Sequence, residues 1–96
     1  MNHPETDNED ICRICGYSDG ALFWENGWPT AGICDCCGTE SGIGDMGTPG
    51  TWEGLSGIRD YRGYWVGHGA VWNSPSLKPK GWDLLTQIAN IPERWR

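Results

Sequence analysis

Four of the five cysteines of the chain lie in two similar short segments. Residues 12–16 read Cys-Arg-Ile-Cys-Gly and residues 34–38 read Cys-Asp-Cys-Cys-Gly, so both segments fit the pattern Cys-x-x-Cys-Gly. Eighteen residues separate the last cysteine of the first segment from the first cysteine of the second. This spacing is typical of sites in which four thiolates bind one metal ion. The predicted ligands are Cys12, Cys15, Cys34 and Cys37.

Each segment has the chemistry that a metal-binding turn needs. Two cysteines that flank two residues in a tight turn can direct both sulfur atoms to one point, and backbone N–H groups within the turn stabilise the thiolates. The glycine after the second cysteine, Gly16 or Gly38, permits a positive φ and lets the chain leave the turn without a clash of Cβ. Two such turns supply four sulfur atoms at about 2.3 Å from a tetrahedral ion.

The cysteine content favours one bound metal ion over two disulfides. Five cysteines are an odd number, which fits a disulfide framework poorly. The first residues, Met-Asn-His-Pro-Glu, lack the basic and apolar regions of a signal peptide, so we expect a cytoplasmic protein whose thiols stay reduced. Zinc is the expected ion because structural zinc fills such a site without redox machinery, and a single redox-active iron is the alternative.

Three further residues with ligand chemistry are left over. Cys36 lies inside the second cysteine segment, and its use as a ligand would break the match with the first segment. A nearby metal lowers the pKa of a thiol, but a small side chain beside the site is preferred for Cys36 over a nucleophile. His3 and His68 are not needed as ligands, because four cysteines complete a closed shell. A solvent-facing or hydrogen-bonded ring is expected at His68.

The elements of the first half must bring the two cysteine segments together. Residues 1–10 are polar and acidic, and they predict a disordered leader. The apolar run at residues 21–24 predicts a strand, residues 25–27 read Glu-Asn-Gly and signal a turn, and a second strand is expected at residues 31–34. The two strands would form a hairpin with the metal at its open end.

The second half predicts one or two short helices after a glycine-rich loop. Thr51 is the expected N-cap of a helix from residue 52 to about residue 67. A second helix is expected at residues 82–90, where Pro92 stops it. Apolar residues three or four apart define the buried face of the first helix: Leu55, Ile58, Tyr61 or Arg62, and Trp65.

Together these elements predict a small α+β fold, a zinc-ribbon-like β-hairpin with two knuckles followed by one or two short helices. Residues 11–96 are expected to form one zinc-stabilised domain. Within it, residues 11–45 would be the zinc ribbon and residues 51–96 a helical and loop extension. A chain of 96 residues buries a limited share of its surface, and domains of this size often need a metal or disulfides for stability.

Charge is distributed unevenly along the chain. Residues 1–53 hold ten acidic residues against one basic residue, a net charge of −9, and residues 54–96 carry +3. An acidic surface repels phosphate backbones and suits a basic protein partner, although acidic residues also keep small domains soluble. The sequence thus favours a protein partner over nucleic acid. No stretch approaches the roughly 20 apolar residues of a membrane span, and the oligomeric state is left open.

Seven tryptophans are available for a core or for an interface. Trp and Arg are frequent anchors of protein interfaces, but a core position is preferred for most of these tryptophans. The candidate anchors in the C-terminal half are Trp52, Trp65, Trp72, Trp82 and Trp95, with Arg59, Arg62 and Arg94.

The cysteine segments resemble the knuckles of zinc ribbons and rubredoxin-like proteins, whose hallmark is a pair of Cys-x-x-Cys-Gly turns. Residues 12–17 and 33–38 are also similar to a small bacterial cysteine-rich family named for its Cys-Pro-Cys-Cys motif. This chain departs from the motif at Asp35, where the family has proline. The resemblance covers about residues 11–45 and carries over only the cysteines. It implies a short cytosolic protein, and some members look like immunity or accessory partners of bacterial toxins.

These observations predict a zinc-binding protein-interaction module, in its specific form an immunity protein that neutralises a toxin by direct binding. The alternatives are a rubredoxin-like iron electron carrier and a nucleic-acid-binding zinc ribbon, which the positive C-terminal half keeps open. An enzyme is not expected, since no paired carboxylates and no Ser/His/Asp set stand out. Residues 42–47 superficially resemble a phosphate-binding loop, but no apolar strand precedes them.

Overall fold

The computed structural model describes residues 8–96, which form a short β-hairpin followed by two helices. The strands and helices are β1 (Trp24–Glu25), β2 (Trp28–Pro29), α1 (Trp52–Gly67) and α2 (Leu84–Ile88). Two single 3₁₀ turns, Pro75–Leu77 and Glu93–Trp95, complete the regular structure of this part of the chain. This arrangement is the small α+β fold that the sequence predicts. Among the described residues, no helix has both the length and the apolar character needed to cross a membrane.

The hairpin closes at the predicted turn, but its strands are shorter than predicted. Asn26 and Gly27 have φ of 53° and 80°, the positive values that a tight two-residue hairpin turn requires. The antiparallel strands β1 and β2 extend only two residues on each side of this turn. The strand predicted at residues 31–34 is wrong, because Ala31 has a φ of 61° and leaves the extended conformation. Ile33 instead forms one isolated bridge with Glu40.

Helix α1 has the predicted bounds and the predicted cap. The Thr51 side chain accepts a hydrogen bond from the Gly54 N–H at 3.0 Å, and this bond satisfies one of the free N–H groups of the first turn. Leu55, Ile58 and Trp65 are buried on one face of the helix. Their spacing of three and seven residues places them on the same side.

Helix α2 is shorter than predicted. It occupies Leu84–Ile88 instead of residues 82–90, and Asp83 caps it by accepting a hydrogen bond from the Thr86 N–H at 3.0 Å. An Asp cap leaves its own residue outside the helix, which excludes Trp82 and Asp83 from the helix. Trp82 is therefore free to pack against the core as part of the preceding loop.

One hydrophobic cluster connects the cysteine segments with β1, α1 and the C-terminal residues. Side chains from the two segments, from β1, from α1 and from the C-terminal residues bury one another. The buried apolar residues are Cys12, Ile14, Cys15, Phe23, Trp24, Cys34, Cys36, Cys37, Leu55, Ile58, Trp65, Ala70, Trp72, Ile91 and Trp95. The extension predicted at residues 51–96 thus packs on the cysteine segments and shares one core with them.

The segment predicted as a leader is partly built into the fold. Residues 1–7, which include His3, lie outside the described residues. Glu9 is buried and forms a bridge with Trp24, to whose carbonyl its N–H donates a hydrogen bond of 2.8 Å. The boundary predicted after residue 10 therefore moves toward the N-terminus.

Candidate metal centre

The two cysteine segments fold into turns with the same backbone hydrogen bonds. In the first turn, the Cys12 N–H donates to the Tyr17 carbonyl at 2.8 Å and the Gly16 N–H donates to the Cys12 carbonyl at 3.0 Å. The second turn, residues 34–39, repeats both bonds at 2.8 and 2.9 Å. Both segments are therefore knuckles of one design, as their shared pattern predicts.

The glycine that ends each knuckle adopts the backbone conformation that the sequence predicts. Gly16 and Gly38 have φ of 83° and 81°, a region in which any other residue pays a steric cost. A Cβ on Gly16 would also lie 2.2 Å from the Gln87 carbonyl oxygen of α2. Glycine at residue 16 thus serves both the turn and its contact with the helix.

The knuckles bring the four predicted ligands together. The sulfur atoms of Cys12, Cys15, Cys34 and Cys37 all lie within 4.8 Å of one another. Two short distances cross between the knuckles, with 3.6 Å from Cys12 Sγ to Cys37 Sγ and 3.6 Å from Cys15 Sγ to Cys34 Sγ. The first cysteine of each knuckle thus faces the second cysteine of the other.

This geometry fits a tetrahedral metal ion. Four sulfur atoms at about 2.3 Å from a central ion are separated by about 3.8 Å along each edge of the tetrahedron, and the two cross-knuckle distances of 3.6 Å are close to this value. All five cysteines of the chain are free, so no disulfide competes for the sulfur atoms. The residues present can therefore hold one metal ion of the kind that thiolates prefer.

The four sulfur atoms are close enough to affect one another's ionisation. Hydrogen bonding with the Cys12 thiol raises the pKa of Cys15 and lowers the pKa of Cys37. Neighbouring sulfur atoms thus share their protons unequally, since several thiolates at this separation repel one another. A cation among them removes this repulsion and lets all four ionise.

Cys36 is buried beside the four cysteines of the cluster, and its thiol contacts Cys15 and helix α2 without joining the four-sulfur group. Its Sγ accepts a hydrogen bond of 3.2 Å from the Gln87 Nε2 of α2, and the same amide group donates to the Cys15 carbonyl at 3.1 Å. The Cys36 carbonyl also accepts from the Asn73 N–H at 2.9 Å. Cys36 therefore packs the second knuckle onto α2, which agrees with its predicted place outside the ligand set.

Arg62 of α1 holds the first knuckle from the other side. Its guanidinium donates to the Ile14 carbonyl at 2.6 Å, to the Arg13 carbonyl at 2.8 Å and to the Trp95 carbonyl at 2.7 Å. Burial lowers the pKa of Arg62, and so does the nearby charge of Arg59. One side chain thus joins α1, the loop of the first knuckle and the C-terminal turn.

Arg13, inside the first knuckle, is the centre of a buried polar network that the sequence reasoning missed. It makes a bidentate ion pair with Glu9 at 2.8 and 2.6 Å and donates to the Asp45 carbonyl at 2.9 Å. Its guanidinium carbon lies 3.9 Å from the ring centroid of Trp24 and 3.6 Å from that of Trp95. Arg13 is the only Lys or Arg among residues 1–53. This isolation is the feature of the sequence that could have indicated a buried ion pair.

The tryptophans divide between the core and the surface. Trp28 is 75% exposed and Trp52 is 68% exposed, whereas Trp82 is half-buried. Trp24, Trp65, Trp72 and Trp95 are buried. Three of the five candidate tryptophans of the C-terminal half, Trp65, Trp72 and Trp95, are thus core residues, which agrees with the preference for core positions.

His68 lies outside the metal centre. Its side chain is exposed, its Nδ1 is 2.8 Å from the Tyr64 carbonyl oxygen, and its ring stacks on the Tyr64 ring at 4.0 Å between centroids. The hydrogen-bonded surface ring expected at this position is therefore observed.

Comparisons of the chain with family models, with curated proteins and with solved structures found no match. The resemblance to zinc-ribbon knuckles and to the Cys-Pro-Cys-Cys family therefore rests on the two cysteine turns.

Proposed function

We propose that the protein binds one zinc ion at Cys12, Cys15, Cys34 and Cys37, and that the ion is structural. The observation that carries this proposal is the convergence of the four buried sulfur atoms within 4.8 Å. The exposed fractions of these cysteines range from 0 to 7%. A four-sulfur site with no open position for water is typical of structural zinc and not of catalytic zinc.

The zinc-held domain is, in this proposal, an interaction module that docks through one surface of the hairpin. We define the acidic hairpin face as Glu25, Trp28, Ile33, Glu40 and Ile43, which are all exposed. The first two residues are cross-strand partners, and the next two form a bridge.

The two parts of the acidic hairpin face are held side by side. A Cβ on Gly42 would lie 2.7 Å from the Pro29 Cβ, so the strand that follows the turn touches the loop that ends in Ile43. The Thr30 and Ser41 hydroxyl oxygens are 3.5 Å apart. This packing supports one continuous apolar and acidic surface.

Charge complementarity selects the partner class. Five acidic residues of the segment 8–53 are exposed, and its one basic residue, Arg13, is buried in an ion pair. The five are Asp10, Asp19, Glu25, Glu40 and Glu53. A basic protein surface complements this field and associates with it rapidly. An immunity protein that covers a basic toxin in the cytoplasm, where thiols stay reduced, is the specific form of the proposal.

The proposal contains no catalytic role and no nucleic-acid site. The polar groups that converge away from the cysteines are buried and paired: Arg13 donates to the Glu9 carboxylate and the Asp45 carbonyl, and the Asp45 carboxylate accepts from Trp24 Nε1. Two of the basic residues available to a phosphate backbone are engaged, since Arg62 binds three carbonyls and Arg59 binds the Arg96 carbonyl.

Metal analysis of the purified protein tests the first part of the proposal. We expect one zinc per chain, a colourless solution and a loss of zinc in the Cys12→Ser variant. A red protein with one iron per chain would establish the electron-carrier alternative instead. A metal-free protein with a disulfide between Cys12 and Cys15 would overturn metal binding.

Partner capture tests the second part. Immobilised zinc-loaded protein is incubated with lysate of its own cells, and Trp28→Ser and Trp52→Ser variants are compared. We expect a basic protein that is retained by the wild type and by Trp52→Ser but lost with Trp28→Ser, and whose association slows in salt and in Glu25→Lys. Retention of nucleic acid alone, abolished by nuclease, would contradict the proposal.

A further inference from the structure

A cavity of about 580 Å³ lies between the first knuckle and α2, away from the acidic hairpin face. Three aromatic rings line it, those of Tyr17, Trp72 and Trp82. The Trp72 ring is perpendicular to both of the others, at 85°, with 5.5 Å between centroids in each pair. The volume is within the range of small-molecule sites, and the partly buried Tyr17 and Trp82 rings both pack on the buried Trp72 ring at this cavity.

The rings are fixed by the fold and are not free surface groups. Tyr17 follows the first knuckle directly, and its carbonyl accepts the Cys12 N–H. Trp72 is 4% exposed, and the Trp82 Nε1 donates to Gln87 Oε1 at 2.8 Å. A cavity with walls held in this way is largely formed before any ligand enters.

The electrostatic environment of the cavity favours a positive charge. Asp83 is the one charged residue among those that line it. The four-thiolate centre behind the first knuckle carries a further net negative charge when zinc is bound. Negative aromatic faces and nearby carboxylates attract cations together.

The chain itself supplies one example of this attraction. Lys78 Nζ lies 5.3 Å from the ring centroid of Trp82, within the distance at which a cation and an indole ring attract each other. Lys78 is exposed and does not line the cavity. The ring that forms one cavity wall thus already accepts an ammonium group.

We propose that this cavity, walled by Tyr17, Trp72 and Trp82 with Asp83 beside them, binds a methylated ammonium group. The methyl groups of such a ligand bury apolar area against the rings. Its positive charge is attracted by the ring faces and by the Asp83 carboxylate. The group has two sources, a free quaternary amine or a methylated lysine of a protein. This inference depends on the proposed function only through the zinc ion that holds the first knuckle in place.

Titration calorimetry on zinc-loaded protein tests the proposal with choline and with its neutral isostere, 3,3-dimethylbutan-1-ol. We expect choline to bind at one site and about tenfold more tightly than the isostere, because the two probes differ in charge and not in shape. A peptide with trimethyl-lysine, compared with the same unmethylated peptide, distinguishes the sources. Tighter binding of the methylated peptide than of choline assigns the site to a protein side chain, and the reverse assigns it to a free amine.

Two pairs of variants locate the binding. Trp82→Leu should abolish choline binding, whereas Trp52→Leu, which changes an exposed tryptophan outside the cavity, should leave it unchanged. Asp83→Asn retains a side-chain oxygen that can cap α2 but removes the charge, so choline binding should weaken several-fold. Asp60→Asn, an exposed acid on α1, is its control.

The outcomes that overturn the proposal are separate from those that concern the metal. Equal affinity for choline and the isostere, or no saturable binding of either probe to protein with one zinc per chain, rejects the methylammonium site and leaves the zinc proposal intact. If Trp82→Leu does not fold, the Asp83→Asn and Asp60→Asn pair decides the location. Equal choline affinity in Asp83→Asn and Asp60→Asn would show that Asp83 does not contribute to binding, and it would reject this cavity as the site.

Discussion

Cys36 and Cys37 are neighbours in the chain, but only Cys37 belongs to the group of four converging sulfur atoms. Cys37 Sγ lies 3.6 Å from Cys12 Sγ in the metal centre, and its thiol also contacts the Thr39 hydroxyl at 3.4 Å. Cys36 Sγ accepts a hydrogen bond from Gln87 on α2. The backbone of the second knuckle, not the chemistry of the thiols, separates the two roles.

This separation predicts different effects of two matched substitutions. Cys36→Ala should retain one zinc per chain and lose about 1–2 kcal/mol of stability, for one buried hydrogen bond and the packing of one sulfur atom. Cys37→Ala should lose zinc and most of the folded state, because structural zinc contributes on the order of 10 kcal/mol. Zinc analysis and thermal melts of both variants measure the difference. Equal loss of zinc in the two would show that the ligand set is wrong.

Glu9 and Arg13 give a second prediction for single residues. Their bidentate ion pair is buried, so Glu9→Ala leaves the Arg13 charge between two tryptophan rings without its carboxylate. We expect a loss of about 3–5 kcal/mol in the free energy of unfolding, measured by denaturant titration of the zinc-loaded protein.

The neighbouring residue supplies the control for the Glu9 substitution. Asp10 is exposed. Asp10→Ala also removes one negative charge, one residue further along the chain, and should alter stability by less than about 0.5 kcal/mol. Similar losses in the two variants would mean that the ion pair contributes nothing beyond the local charge.

At the scale of elements, the contact between the first knuckle and α2 depends on the absence of a side chain at Gly16. The helix is only five residues long, and an isolated helix of this length is unstable in water. Its Gln87 side chain bonds to the Cys15 carbonyl and to Cys36 Sγ, while its backbone approaches Gly16 closely. The knuckles therefore position α2, and α2 in turn covers the knuckles.

Two glycines with similar backbone conformation test this contact. Gly16 and Gly20 have φ of 83° and 91°, so replacement by alanine costs about 1–2 kcal/mol of backbone strain at each. A Cβ at Gly16 would meet the Gln87 carbonyl oxygen at 2.2 Å, whereas a Cβ at Gly20 meets nothing within 4 Å. Gly16→Ala should therefore be about 1–3 kcal/mol more destabilising than Gly20→Ala in denaturant titrations. Equal destabilisation would mean that α2 moves away freely.

At the scale of the whole molecule, the metal centre is part of the core. The four cysteines belong to the same buried cluster as Ile58 and Trp65 of α1 and Trp95 near the C-terminus. Residues 8–96 contain only one hairpin of two-residue strands and one helix longer than five residues. Hence few regular elements remain to stabilise the fold once the knuckles open.

Removal of the metal should therefore unfold the helical extension as well as the knuckles. Zinc binding of the order of 10 kcal/mol matches the entire stability of a typical small domain. Treatment with a zinc chelator should abolish the near-ultraviolet circular dichroism of the buried tryptophans and reduce the helical signal of α1. Added zinc should restore both signals, and added magnesium, which prefers oxygen ligands, should not. Retention of the α1 signal in the metal-free protein would show that the extension folds independently.

The sequence by itself determined the features that depend on residues close together in the chain. The two knuckles with positive-φ glycines, the Asn-Gly turn of the hairpin, and α1 with its Thr51 cap all follow from local patterns. Each depends on hydrogen bonds or steric limits within about five residues, where spacing alone fixes the geometry. The strand expected at residues 31–34 failed because Ala31 adopts a φ of 61°, outside the extended region that a strand requires.

Only the tertiary structure decided which distant residues meet. Gln87 reaches Cys36 across 51 positions and the Cys15 carbonyl across 72. Tyr17, beside the first knuckle, packs on Trp72 of the connection between α1 and α2, and Trp72 also packs on Trp82. Such contacts arise when apolar surfaces from several segments are buried together, and many pairings of the same tryptophans would satisfy the composition equally well. The four cysteines that converge could be named from spacing, whereas the core and the aromatic cavity required the packed chain.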